Sequence, residues 1–404
     1  MNAGPLTGIR VVDLTTFLSG PFCTQILADL GAEVVKVEAL DGDSSRGIPP
    51  YFVEGESAYF LAHNRSKSSI AIDLKRPEGQ AVARRLVASA DVVVENFRPG
   101  VSARLGLDPQ AMRAADPALV WVSISGFGQS GPRRERPAYD IIVQALSGVM
   151  SLTGVPGGPA MRLGVPAGDL AAGMYAVMAV TAALVERTRT GMGAWADVSM
   201  LDGQLSLLSY QAVYSTVGGI TPQPQASRHD SIPTYRTFRC ADDREIAVAA
   251  NTQRMWIALC EAIGSPDLPR DPRFADGAGR LRHEEALAPL LEGRFAERPA
   301  AHWADELVAR SVPAALIENV PEALADAREA GRGMVVPVIS ERGSVVETVG
   351  LPIRFVGHEP PSPAYPPRLG EHSVDVLREI GLDTTAIAQL VEAGVVLDGG
   401  EPAP

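Results

Sequence analysis

Apolar residues in the first 130 positions follow two periods. GIRVVDL (8–14), AEVVKVE (32–38), SIAIDL (69–74), DVVVENF (91–97) and LVWVSISGF (119–127) are short β-branched runs and read as strands. Between them, PFCTQILADLG (21–31) and PEGQAVARRLVASA (77–90) read as helices, and Pro77 and Glu78 stand where a helix start accepts proline and favours an acid. Strand–helix–strand alternation predicts an α/β fold with a mostly parallel sheet covered by helices. From Tyr139 to about Gly219 the pattern is largely helical. One long helix is expected over about 168–189, followed by the strand-like GAWADVS (193–199). ITPQPQASRHDSIP (220–233) reads as a linker.

Beyond the linker, YRTFRC and REIAVAA suggest a small sheet, with helices over 252–263, 283–296 and 301–310. MVVPVIS and SVVETVGLPIRF read as strands, and the Pro-rich EPPSPAYPPR leads to helices over 371–381 and 384–394. The expected layout is a large α/β domain from 1–200 and 328–404, a helix and linker over 201–233, and a smaller α+β domain over 234–327. No internal repeat is visible.

Composition narrows the classes. The apolar run Leu170–Val185 has sixteen residues, short of the roughly 20 a membrane span needs, and reads as a buried helix. The start, MNAGPLTGIRVVDL, lacks a basic segment followed by an apolar one, so neither a signal peptide nor a membrane partner is expected. Cys23, Cys240 and Cys260 are few and far apart, which suits a reducing cytoplasm. A net charge of −12 argues against nucleic acid as a partner but leaves room for a small anion held in a local basic pocket.

GFGQSG (126–131) matches the dinucleotide pattern G-x-G-x-x-G, yet Pro132 and RRER follow where a helix should open, and the strand before it is not the first of the sheet. Phosphate-loop, nucleophile-elbow and zinc-helix motifs are absent, and six scattered histidines give no metal site. The informative pattern is distributed. Asn64-Arg65-Ser66-Lys67, Asp73-Leu74-Lys75, Glu95-Asn96-Phe97-Arg98-Pro99-Gly100 and Arg104 fall at strand ends, where loops of an open parallel sheet line a ligand crevice. Asp169 sits among small and apolar residues in GVPAGDLAAGMYAVMAV. It reads either as a helix N-cap or as a carboxylate nucleophile in a dry pocket, and the two roles are compatible.

Taken in order, VVDLTTFLSGPFCTQILADLGAEVVKVE, NRSKSSIAIDLKRPEG, ENFRPG, GFGQSGP, AYDIIVQALSG, the Asp169 segment, TRTGMGAWADVSMLDG and RLGEHSVDVLREIGL resemble the class III CoA-transferases, or CaiB/BaiF family, over about residues 8–381. The resemblance implies a Rossmann-like large domain with a smaller inserted one, and an interlocked homodimer. It implies transfer of CoA from an acyl-CoA donor to a small carboxylic acid, with the thioester as substrate and no permanently bound cofactor. Asp169 matches the family nucleophile, which passes through an aspartyl anhydride and an aspartyl-CoA thioester. Ile72, Lys75, Asn96, Phe97, Arg104 and Tyr139 match CoA-contacting positions, and Phe17 and Leu18 match a segment that approaches the thioester.

The resemblance departs in one place. Some of these transferases carry a glycine-rich shielding loop after the linker, where this chain has SRHDSIPTYRTF (227–238) without glycine. Among the acids such transferases use (formate or oxalate, carnitine-type, bile and aromatic acids, and C4–C5 dicarboxylates such as succinate, mesaconate, citramalate or glutarate), Arg228 and His229 there either meet a second carboxylate, which points toward the dicarboxylates, or form a surface pair on the linker. The alternative is a 2-methylacyl-CoA racemase of the same fold. That enzyme uses a histidine before an aspartate, where this chain has Tyr139-Asp140, so the base needed for two-sided proton transfer is missing. A CoA-binding protein without activity ranks third.

Overall fold

A computed structural model describes residues 4–357 and 361–399. The first two residues of the Pro-rich stretch, and residues 1–3 and 400–404 at the ends of the expected large domain, lie outside the described residues. The chain falls into two compact units, one of Met1–Met150, Arg162–Gly219 and Ala330–Pro404, the other of Ser151–Met161 and Ile220–Glu329.

The first unit is built on a seven-stranded sheet. Six strands are parallel: Arg10–Asp13, Glu33–Glu38, Lys67–Ile72, Val92–Glu95, Val120–Ser125 and Trp195–Ser199. In space they run third, second, first, fourth, fifth, sixth, and Val396–Leu397 adds an antiparallel edge beside the third. This is the doubly wound order, whose topological switch point falls between the first and fourth strands. Both sheet faces are covered, which explains the continuous rather than alternating Val/Ile runs. Val11, Val34, Val92 and Val122 pack with helices Ser19–Asp29 and Ala167–Thr190 on one face. On the other, Val12, Val35, Ile70 and Val93 meet helix Pro77–Ala88 and the C-terminal helices Ser373–Glu379 and Thr384–Glu392.

Several boundaries shift from the sequence reading, two of them toward the N-terminus by two residues. The first helix begins at Ser19 and the third strand at Lys67, each two residues early. The long helix, Ala167–Thr190, has length and apolarity enough to cross a membrane. It is buried on one face only, through Ala171, Ala172, Ala176, Val180 and Ala183, while Met174, Met178 and Val185 are exposed. Small residues let it approach its neighbour: a Cβ at Gly173 would lie 2.8 Å from the Ser19 carbonyl oxygen and 2.9 Å from the Phe22 ring.

The second unit holds a three-stranded antiparallel sheet in the order Ala314–Leu316, Glu245–Ala249, Tyr235–Arg239. Helices Gln253–Ala262, Glu284–Phe295 and Ala300–Ala309 supply Trp256, Leu291, Phe295 and Trp303 to its core. Phe238 stacks on Phe295 at 4.1 Å between ring centroids. Residues 219–233 form no helix or strand.

Beneath the C-terminal ends of the central strands lies a buried ionic group. Lys36 Nζ sits 2.9 Å from the Asp43 carboxylate and donates to the Thr15 carbonyl at 2.8 Å. Lys67 Nζ pairs with Asp13 at 3.1 Å and donates to the Pro21 carbonyl and to Asn64 Oδ1. Asp13 also accepts the Thr15 N–H and the hydroxyls of Thr15 and Thr24. Burial pushes the Asp13 carboxyl up, but Lys67, Lys36 and the two hydroxyls outweigh it and hold the group at about 2. The cations of the NRSK segment are therefore paired inside the protein. The segment precedes its strand, Lys67 is consumed by Asp13, and Arg65 is buried against Asp29, Thr348 and the Val349 carbonyl.

Removing one partner of such a group strands the other charge without water. Lys36→Met is expected to lower stability in urea unfolding by about 3–5 kcal/mol, whereas Arg378→Ala, in the exposed Arg378–Asp375 pair, changes it by less than about 1 kcal/mol.

Candidate functional site

Chemistry-bearing side chains gather at the switch point. The loop leaving the first strand runs over the ionic group into helix Ser19–Asp29, and Phe17 takes a left-handed φ of 68° there. A non-glycine residue holds that conformation only where its surroundings enforce it. Asp43 accepts the Phe17 N–H at 3.2 Å, while Asn96 accepts the Thr16 N–H at 2.8 Å and donates to the Thr16 carbonyl at 2.8 Å. Phe17 is thus clamped from both sides. Its ring lies edge-on to Tyr59 at 6.1 Å and to Tyr139 at 5.9 Å.

Asp169 faces this loop from the opposing helix. The N-cap position of Ala167–Thr190 is Pro166, and Asp169 occupies the first turn, so the cap reading is wrong. The capping bond comes from elsewhere: Asp140 Oδ1 accepts the Gly168 N–H at 2.7 Å, and Gln144 Nε2 fixes Asp140 Oδ2 at 2.6 Å. A Cβ at Gly168 would stand 2.9 Å from Asp140 Oδ1, so glycine is what admits this carboxylate. Burial, reinforced by the Asp140 charge, pushes the Asp169 carboxyl up to about 7, against a hydrogen bond from Ser19. Ser19 Oγ in turn receives Asn96 Nδ2 at 3.4 Å, which completes a chain from the fourth strand to Asp169. Burial and the charges of Asp169, Asp140 and Asp43 raise the Tyr59 phenol to about 12, which keeps it protonated and able to donate.

The remaining candidates separate by exposure. Lys75 and Arg104 are solvent-exposed, Lys75 just past the third strand and Arg104 at the end of helix Val101–Arg104. Tyr139 is exposed, and Phe97 is half-buried with its ring against the core. The side chains of Ile72 and Leu18 are buried, so only their backbones can face a ligand. The GFGQSG loop is tied down by Asp197, which accepts the Gln129 N–H at 2.8 Å, and no helix opens before Asp140, so the dinucleotide arrangement does not form. In the second unit Arg228 is paired with Glu284 at 2.9 Å, and His229 Nδ1 accepts the Ser231 N–H. A cavity of about 470 Å³ among Leu30, Arg65, Val336, Ile353 and Phe355 holds Arg65 of the NRSK segment and none of the other candidates. Ser19, Tyr59 and Asp140 escaped the sequence reading. Asp140 alone had a signal, an acid opening a helix beside Tyr139.

A sequence profile for CoA-transferase family III matches residues 6–373. The chain belongs to that family. It is similar to the acetyl-CoA:oxalate CoA-transferase of Acetobacter aceti, at 39% identity over 89% of this chain and 91% of the relative. It is 38% identical to the succinate–glutarate CoA-transferase of Agrobacterium fabrum, over 93% and 96% of the two chains. The crystal structure of a CaiB/BaiF family protein from Brucella suis superposes with a TM-score of 0.84 at 37% identity, covering 93% of this chain and 99% of that one. The chain is therefore a CoA-transferase acting between acyl-CoA and carboxylic acids, as the distributed motifs implied.

For this transferase the electrostatics of Asp169 yield a stability test. A carboxyl with a folded pKa near 7, above its unfolded value, stabilises the fold while protonated, and that stability is lost as pH rises from about 4 through 7. Asp169→Asn removes the titration. It should be more stable than the wild type at pH 8 by roughly 2–4 kcal/mol, with the difference shrinking toward pH 4 in denaturant titrations.

Proposed function

We propose that this CoA-transferase passes CoA from an acyl-CoA donor to a free dicarboxylic acid through covalent intermediates on Asp169. The reading is carried by one observation: a half-buried carboxyl with a pKa near 7, in a helix first turn, facing a clamped and strained loop. A desolvated carboxylate is a competent nucleophile, and a site closed to water conserves thioester energy that hydrolysis would destroy. Asp169 attacks the acyl-CoA carbonyl and expels CoA thiolate, leaving a mixed anhydride. The thiolate then attacks the aspartyl carbonyl, which gives aspartyl-CoA thioester and the free donor acid. The acceptor carboxylate attacks that thioester, and the returning thiolate takes the acceptor acyl group and frees Asp169.

Phe17 and Leu18 present backbone to the thioester, while Asn96 and Phe97 flank CoA with the backbone of Ile72. Lys75 and Arg104 meet its phosphates, and Tyr139 borders the acyl group. Both similar transferases carry dicarboxylic acids in their names, oxalate in one and succinate and glutarate in the other, which supports a dicarboxylate here. The racemase reading is not favoured, because a phenol at Tyr139 stands where it requires an imidazole. Three buried free cysteines fit a reducing cytoplasm.

The same reading includes a homodimer. Ile141, Ile142 and Leu146, Met174 and Met178, and Val213, Tyr214 and Val217 are large apolar side chains exposed on three helices of the first unit. A second copy covering them would bury more than the roughly 1,600 Å² of a standard complex. Sedimentation should show a dimer at micromolar concentration; a stable monomer would refute it.

The covalent step is tested on the protein itself. After incubation with succinyl-CoA, quenching and digestion, a peptide spanning Asp169 should carry acyl or CoA mass and yield a hydroxamate with hydroxylamine. Turnover should rise about tenfold per pH unit below 7 and level off above it, as Asp169 ionises. Asp169→Asn should fold and lose transfer; wild-type turnover in that variant would require another nucleophile.

A further inference from the structure

A second carboxyl at the switch point takes no part in the steps above. Glu95 ends the fourth strand, 2% exposed, directly before Asn96 and Phe97. One of its oxygens accepts the Phe97 N–H at 2.8 Å. Opposite it, in register on the fifth strand, stands Ser123, whose hydroxyl hydrogen-bonds Glu95 while its oxygen accepts the Trp195 indole N–H at 3.0 Å. Trp121 flanks Glu95 from the same strand as Ser123. Asp197 follows Ser123 in register on the sixth strand, and its negative charge acts on Glu95.

These bonds tie Glu95 to the reacting end of the molecule. Its grip on the Phe97 N–H shapes the turn from which Asn96 projects. Asn96 holds both backbone groups of Thr16 and reaches Ser19, and Ser19 bonds Asp169. We propose that Glu95 is a positioning residue whose ionised form sets the Asn96–Phe97 loop for CoA, so that binding of CoA is coupled to release of its proton. The inference rests on the assignment of Asn96 and Phe97 to CoA.

The hydrogen-bond inventory gives the direction. An ionised Glu95 accepts from both Phe97 and Ser123. A protonated Glu95 must donate instead. Ser123, already accepting from Trp195, would then have to turn its own hydroxyl away, and the bond to Phe97 would lose its charge assistance. Burial, with Asp197 adding to it, places the changeover at about 7, against the bonds from Ser123 and Phe97. Ligand that orders the loop therefore favours the carboxylate. The same ionised form costs folding stability, because its folded pKa lies above its unfolded value, and that cost grows as pH rises through 7. Binding and stability thus respond to Glu95 in opposite directions, which a purely structural residue would not produce.

The test uses the full chain carrying Asp169→Asn, so that neither acyl transfer nor titration of Asp169 contributes, with Glu95 or Glu95→Gln. Gln keeps an acceptor for Phe97 but cannot ionise. CoA affinity is measured by calorimetry from pH 6 to 8.5, and the ratio of the two dissociation constants cancels protonation of CoA itself. The ratio should climb from near one at pH 6 to about three- to tenfold weaker binding by the Gln form at pH 8. Buffer-dependent heat at pH 7 should report proton release that the Gln form lacks, and the Gln form should melt no lower at pH 8. A flat ratio, or parallel loss of stability and binding at every pH, overturns the proposal. Failure of both proteins to bind CoA would instead overturn the placement of CoA on which it rests.

Discussion

The architecture of this transferase turns on a paired charge that water cannot reach. Lys36, fully enclosed, pulls on the Thr15 carbonyl and on Asp43, and Asp43 holds the Phe17 N–H. The two attachments flank Thr16 and end on Phe17, the residue of the loop with a left-handed backbone. An ammonium in that position is expensive to bury, and its cost is offset only when every donor finds an acceptor. Here the acceptors are the Thr15 carbonyl in the loop and the Asp43 carboxylate. Collapse of the hydrophobic sheet therefore cannot be completed without also setting the loop, and folding and site formation become one event.

From that loop outward, side chains of one element hold the backbone of another. Asp140, on helix Asp140–Ser147, caps the helix that carries Asp169, and Asn96, at the end of the fourth strand, holds the loop leaving the first. The doubly wound order makes this convergence geometric, since loops after neighbouring strands of opposite winding diverge and leave a crevice between them. The electrostatics follow from the same arrangement. Cations are spent below the loop, where they hold Asp13 ionised, and Asp169 above it feels burial and a second carboxylate. One side of the loop is built for permanent charge and the other for a carboxyl that changes state near neutrality.

The sheet, its parallel sense and most helices were legible because apolar periodicity is a local property. The edge strand Val396–Leu397 was not, since two residues carry no period and their strand character comes only from pairing with the third strand. Asp169 stood out through its small neighbours and its ordered motifs, but its capping role was misread. The side chain that caps the helix, Asp140, lies 28 residues away along the chain, a distance no local pattern reports. Lys67 and Arg65 were misread for a related reason. A basic residue looks the same in sequence whether it faces phosphate or is buried against Asp13 or Asp29. Tyr59 had no sequence signal at all, because its relevance comes from proximity to Phe17 and the carboxylates.

The missing side chain at Gly173 also has a bearing on how substrate choice can change. The Ser19 carbonyl and the Phe22 ring occupy the space a methyl group would need, so the two helices touch backbone to backbone one turn from Asp169. Their separation is set by van der Waals radii rather than by a side chain that selection could lengthen or shorten. The gap between Asp169 and the loop is in effect a machined tolerance, the same whatever acid receives CoA. Diversification toward longer or shorter acceptors must then be written into side chains that border the gap from outside, leaving the joint itself untouched.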